Sequence, residues 1–298
     1  MRDIHGISPV IMTPFTPSGD VHLEDFARLV RHQVAIGAHG VTLFGLVTEF
    51  HKLTDDERKE LAASLLAELK GTDTYSLISV TEHSADLAVR SARRWQAMGA
   101  DALMLLPPHF MNPPVEAVRT HIELVLEAVD IPVLIQYAPI ETGKQIPVET
   151  MAAIANRYPN ARFKIEPNPP MDYIRALLGL APHCTIMLGY AGLYMLDVLE
   201  AGGKGTIPGT GFTEIYLDIH NSWLRGDKEH AAALHARLLP YIRRWMTNTE
   251  YIISVEKRLL VYRGMFSSDY CRLPTVPLTD EDDAFIRQFM RDFSEYIR

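Results

Sequence analysis

The sequence predicts an α/β protein, a (β/α)8 TIM barrel with a C-terminal helical extension. Strand-like and helix-like stretches alternate from about residue 7 to residue 225. Eight apolar runs of strand length fall within that span, and the chain reads as wholly helical from about Thr213 onward. An open doubly wound sheet is the competing arrangement. No Gly-rich dinucleotide turn follows the first run, and this favours the closed barrel.

The elements follow in order. Ile7 to Met12 is an apolar run ended by Thr13-Pro14. Phe26, Leu29, Val30 and Val34 recur at helical spacing, and Gly37 can cap that helix. Val41 to Phe44 is the second strand. Thr54-Asp55-Asp56-Glu57 is a capping box, a hydroxyl and a carboxylate three apart. Tyr75 to Val80 is the third strand, a helix runs from about Ala85 to Met98, and Ala102 to Leu106 is the fourth strand. The remaining strands are read at Val133 to Tyr137, Arg162 to Ile165, Thr185 to Leu188 and Gly205 to Ile207. A weak repeat supports the alternation: Gly37, Gly99 and Gly202 each end a helix just before a buried strand. Helices are expected near 214–225, 228–246, 250–264 and 279–296. No low-complexity linker sets that tail apart, so residues 1–298 read as one domain, with a barrel over 1–225 and the extension over 226–298.

Composition narrows the function. Hydrophobic residues make up 47% and charged residues 22%, with net charge −8 and no basic run, so neither nucleic acid nor an anionic membrane surface is an expected partner. No stretch of about 18 apolar residues could span a bilayer. The first residues, Met1 to Gly6, carry no apolar signal region. With only Cys184 and Cys271, a disulfide framework is not expected, and a reducing cytoplasm is the expected compartment.

In a barrel of this kind the working residues sit at the C-terminal ends of the strands. Lys164 stands near the end of the sixth run, flanked by Phe163 and Ile165. Desolvation favours the neutral form of a lysine amine, and a neutral amine can attack a ketone to form an imine. Strand alternation puts Arg162 and Glu166 on the same face as Lys164. A solvated lysine beside a loop is the plain alternative. Tyr137 ends the fifth run and could move protons to and from a carbinolamine; the alternative is a rim tyrosine packed on its ring. Gly45, Leu46, Val47 and Thr48 could present backbone N–H groups to a carboxylate, or form an ordinary turn. Gly202 to Thr206 precedes a strand and lacks Ser or Thr after Lys204, so it is no phosphate loop. The 12 histidines form no metal-binding spacing. No metal or cofactor is called for.

Taken together these strand-end residues resemble the dihydrodipicolinate synthase / N-acetylneuraminate lyase family. The resemblance runs from Gly6-Ile7-Ser8-Pro9-Val10-Ile11-Met12-Thr13-Pro14-Phe15, through Gly45-Leu46-Val47-Thr48-Glu49 and Leu53 to Glu57, to Tyr137, Lys164 and Arg272-Leu273-Pro274. It implies a barrel with a helical extension, a homotetramer or homodimer, and a class I lysine-imine mechanism on pyruvate or another 2-oxo acid. Lys164 matches the imine-forming lysine and Tyr137 the proton-moving tyrosine. The 45–49 loop matches the segment that holds the substrate carboxylate, and Ile207 a residue lining the site.

The departures are specific. The family loop is usually Gly-Thr-Thr-Gly-Glu, whereas Leu46, Val47 and Thr48 stand here. The synthases' tyrosine after the fourth strand appears as Phe110, beside His109. Thr48 or His109 is then the candidate for the lost proton donor. Where the synthases bind an aldehyde carboxylate with Arg, Pro139 to Gly143 runs one residue shorter with Glu141 near that position, and an acid there repels an anionic partner. The expected function is therefore a Schiff-base lyase or aldolase on a 2-oxo acid, including 2-oxo-3-deoxy sugar acids, other than dihydrodipicolinate synthesis. The alternatives are an imine-dependent dehydratase of a 2-oxo-3-deoxy acid and a non-catalytic small-acid-binding relative.

Overall fold

A computed structural model describes residues 2–297. Its strands are β1 Gly6–Ile7, β2 Gly40–Leu43, β3 Tyr75–Val80, β4 Ala102–Leu105, β5 Val133–Tyr137, β6 Ala161–Ile165, β7 Ile186–Leu188 and β8 Gly205–Thr206. They lie in one sheet in the order β1-β8-β7-β6-β5-β4-β3-β2. Helices alternate with them: α1 Leu23–Ala35, α2 Asp55–Leu69, α3 Ala85–Met98, α4 Val115–Ala128, α5 Pro139–Thr142, α6 Val148–Arg157, α7 Met171–Leu180 and α8 Met195–Glu200. The tail adds α9 Thr213–Leu224, α10 Lys228–Trp245, α11 Thr249–Tyr262 and α12 Asp280–Asp292. This is the (β/α)8 TIM barrel with C-terminal helices that the alternation predicts.

The chain divides into two compact units. One comprises Tyr75–Ile207 with the residues before Gly6; the other comprises Gly6–Thr74 with Pro208 onward. In the first unit, β3 to β8 pair in parallel, each with the next in sequence. Ile135, Phe163, Ile165, Ile186 and Leu188 are almost wholly buried, as strands covered on both faces require. Gly99 ends α3 at φ 100° and Gly202 follows α8 at φ 96°, conformations that cost other residues energy.

In the second unit β1 is much shorter than the expected Ile7 to Met12. Pro9 has no N–H to donate, so the ladder lapses there and resumes as single parallel bridges from Val10 to Thr42 and to Gly209. The capping box at α2 is present: Thr54 Oγ1 accepts from Glu57 N at 3.2 Å, and Thr54 N donates to Glu57 Oε2 at 2.8 Å. Phe212, Tyr241, Trp245, Phe289 and Phe293 form an aromatic cluster that seats α12, with Phe289 at 5.1 Å from Phe212 and 5.0 Å from Trp245 between ring centres.

Buried charge is concentrated in this second unit. Glu49 is fully buried and paired with Lys257, itself fully buried, and with Lys52 at 3.0 Å; Lys52 also reaches Glu250 at 2.6 Å. Glu256 is equally buried but has no cation partner among the described residues. Its Oε2 accepts from Gly211 N at 2.8 Å, and its Oε1 has no hydrogen-bond partner. Burial pushes this carboxyl up to about 7 from an ordinary 4.5.

Two outcomes follow. Glu49→Gln, which leaves Lys257 without its buried anion, is expected to cost about 3–5 kcal/mol in urea unfolding. Glu256 binds its proton more tightly when folded, so its contribution to stability is complete below pH ~4.5 and is lost as pH rises through ~7. Wild type measured against Glu256→Gln is therefore expected to lose about 3 kcal/mol across that window; a flat difference in urea titrations at both ends would contradict this.

Candidate active site

Parallel pairing of β5 with β6 sets Gln136 opposite Lys164 and Tyr137 opposite Ile165. Side chains alternate between the faces of a strand, so Gln136, Lys164 and Glu166 share one face while Tyr137 shares the other with Ile135, Phe163 and Ile165. The contacts agree. Lys164 is 4% exposed, and its Nζ lies 3.0 Å from Glu166 Oε1. Gln136 Nε2 donates to Glu166 Oε2 at 2.6 Å, and Tyr190 N donates to Glu166 Oε1 at 3.3 Å. All three side chains of this triad are buried.

Room for the Glu166 carboxylate comes from Gly189. A Cβ on Gly189 would stand 1.8 Å from Oε1 and 2.3 Å from the carboxyl carbon. Beyond it, Tyr190 and Ala191 adopt left-handed φ values of 53° and 49°, which aims the Tyr190 N–H at the carboxylate. Glu141, on α5, belongs to the same electrostatic neighbourhood. The Glu141 side chain is exposed, but partial desolvation holds its carboxyl above the ordinary value, the Glu166 carboxylate adds to that, and Lys164 acts against it.

Tyr137 is placed differently from its expected role. Its hydroxyl donates to Gln145 Oε1 at 2.8 Å, and its ring lies 4.5 Å from that of Tyr173 on α7. Gln136 and Tyr137 both border a small pocket with Pro107, Ala138, Thr142 and Lys144. The structure thus brings Lys164 together with Gln136 and Glu166 rather than with the Tyr137 hydroxyl. Alternation alone pairs Glu166 with Lys164, and that was the available signal for it. Gln136 carried none before the register was known.

His109 packs on His83, ring centres 4.6 Å apart, and the His109 backbone N–H donates to His83 Nδ1 at 3.4 Å. Burial, then His109, holds His83 below the ordinary histidine value. His121 is held at about 4 by burial and by His83, and so stays neutral at pH 7. Phe110 is 72% exposed, its ring 6.1 Å from His83. Ile207 is buried, and its N–H donates to Leu188 O at 2.8 Å.

The 45–48 segment, in the other unit, forms a 3-10 turn over Leu46–Thr48. That turn uses the N–H groups of Thr48 and Glu49, which donate to Gly45 O and Leu46 O. The Thr48 hydroxyl donates to Ile11 O at 2.7 Å, so its proton is already engaged inside the second unit. Among the described residues no group of three or more His, Cys, Asp or Glu is placed to hold a metal ion. No described helix is long and apolar enough to cross a membrane.

The class of protein is defined by comparison as well as by fold. The profile of the Dihydrodipicolinate synthetase family matches residues 3–292, and the chain belongs to that family. Relatives include a 4-hydroxy-tetrahydrodipicolinate synthase of Methanopyrus kandleri, 27% identical over 252 residues and 84% of each chain. An uncharacterized DapA-like lyase of Thermofilum pendens is 26% identical over 97% of each. Among solved structures, dihydrodipicolinate synthase from Rhodopseudomonas palustris superposes with a TM-score of 0.89 at 24% identity, over 97% of both chains. YagE, a prophage protein of the family from E. coli K12 solved with pyruvate, gives 0.88 at 23%, covering 98% of this chain and 99% of its own.

Gly189→Ala is expected to destabilise the fold by about 1–3 kcal/mol, because the new methyl would overlap the Glu166 carboxylate. Gly179→Ala, in α7 with nothing within 4 Å of the added carbon, is the matched control and is expected to gain up to about 1 kcal/mol. Urea unfolding of both variants checks the contrast.

Proposed function

We propose that this chain is a class I, Schiff-base-forming lyase or aldolase acting on pyruvate or another 2-oxo acid, with Lys164 as the imine-forming amine, assembled as a homotetramer or homodimer. The observation that carries the reading is a buried lysine nitrogen held 3.0 Å from a carboxylate, near the C-terminal end of β6. A carboxylate so close can accept a proton from the ammonium and free the lone pair for attack on a ketone. Family membership supports the same chemistry, as do relatives that include 4-hydroxy-tetrahydrodipicolinate synthases and a neighbour solved with pyruvate.

The second substrate differs from that of the synthases in this reading. Glu141 and Glu166 place two carboxyl groups near one lysine, a setting that disfavours an anionic aldehyde. A second reading is dehydration of a 2-oxo-3-deoxy acid through the same imine. Product analysis separates the two, since cleavage yields pyruvate and an aldehyde while dehydration keeps the carbon chain whole.

Incubation with pyruvate and borohydride is expected to give a covalent adduct mapped by mass spectrometry to Lys164, and none in Lys164→Ala. An unmodified wild-type protein, or an adduct that persists in Lys164→Ala, would overturn the proposal.

A further inference from the structure

We infer that Glu166 is the catalytic proton carrier of this site, in the place that family resemblance gives to Tyr137. The inference rests on the imine reading above and names who moves the protons within it. Glu166 Oε1 is 3.0 Å from the nitrogen on which bonds would form. Oε2 is fixed by the Gln136 amide at 2.6 Å, and Oε1 also accepts the Tyr190 N–H at 3.3 Å. The absent Cβ of Gly189 leaves the carboxylate room, since a carbon there would stand 1.8 Å from Oε1. These contacts fix where the carboxylate sits while leaving it able to gain and lose a proton. The Tyr137 hydroxyl gives its own proton to Gln145, from the opposite face of β5.

The steps balance with water and protons alone. The Lys164 ammonium passes a proton to Oε1, which frees the nitrogen lone pair. That pair attacks C2 of the 2-oxo acid, forming the N–C bond as the carbonyl π pair moves onto oxygen. One proton passes from nitrogen to that oxygen. The Glu166 proton then converts the hydroxyl to water, which leaves with the C–O pair while nitrogen closes the C=N bond. Glu166, again a carboxylate and now beside an iminium, removes a proton from C3. The C–H pair becomes the C2=C3 bond of the enamine, and the C=N π pair returns to nitrogen.

Pyruvate in D2O tests this, because enamine formation exchanges the C3 protons of pyruvate for deuterium and borohydride reports the imine separately. The probe is the full-length chain with pyruvate alone, followed by NMR and by mass spectrometry. Wild type is expected both to form the adduct and to exchange. Glu166→Gln is expected to retain the adduct on long incubation while its exchange rate falls by about 100-fold or more, the usual contribution of a positioned acid–base group. Glu166→Asp, one methylene shorter, is expected to recover part of that rate, and it carries the test if the Gln variant does not fold.

Exchange within threefold of wild type in Glu166→Gln would overturn the inference, as would Glu166→Asp exchanging no more slowly than wild type where the Gln variant does not fold, or no faster than Glu166→Gln where it does. So would loss of exchange in Tyr137→Phe with exchange retained in Glu166→Gln. A wild type that forms no adduct sinks the imine reading as well, so the two failures are distinct.

Discussion

A lysine nitrogen taken out of water needs an anion beside it, and the chemistry argued for this protein depends on how that need is met at Lys164. An isolated buried ion costs several kcal/mol even after relaxation, so the pair with Glu166 is a condition for burying Lys164 as a charged group at all. The carboxylate in turn must be satisfied. It has a side-chain amide on one oxygen and a backbone N–H on the other, both from residues near the ends of adjacent strands. Parallel pairing in fixed register makes this possible, because it brings Gln136 and Lys164 side by side at the same height and Glu166 two residues further along the same face.

A buried pair held by hydrogen bonds is inert unless something can enter it. A ketone carbon can do so, because the attack converts the lysine nitrogen from a partner of the carboxylate into a partner of carbon. The proton released has one near acceptor in the triad, since Gln136 offers only amide hydrogens to the carboxylate. Glu141 modifies this balance from outside the triad. Its carboxyl is raised by desolvation and by Glu166, while Lys164 acts against that.

Much of the fold was legible because its signal is local. The period-2 and period-3.6 patterns, the Thr54 capping box and the glycines after helices each depend on a few neighbouring residues. Val133–Tyr137 and Ala85–Met98 have the bounds that the pattern predicts. Lys164 was legible for the same reason, as a cation between Phe163 and Ile165. The face of β5 was not. Shifting attention by one residue, from Tyr137 to Gln136, moves the side chain to the other side of the sheet, and only the register with β6 decides which of the two stands beside Lys164. The Thr48 hydroxyl was open to a catalytic reading because its acceptor, Ile11 O, lies far away in sequence. The short β1 could have been read locally, since Pro9 interrupts the ladder by lacking a donor.

The second unit shows that proximity in sequence does not make an ion pair. Glu256 and Lys257 are consecutive on α11 and both fully buried, yet they do not neutralise each other. Successive side chains on a helix diverge by about 100°. Lys257 therefore meets Glu49 and the ring of Phe15 at 4.4 Å, while Glu256 turns to the backbone around Gly209 and Gly211. Two carboxylates of equal burial end in opposite situations. Glu49 has two ammonium partners within its own unit, whereas Glu256 has amide donors only and is pushed up to about 7. Close approach by Gly209, whose missing Cβ would stand 2.0 Å from Oε1, leaves no room there for a cationic side chain. A carboxyl in that position satisfies its surroundings best with its own proton, so the segment after β8 rests on a group whose charge changes near neutral pH.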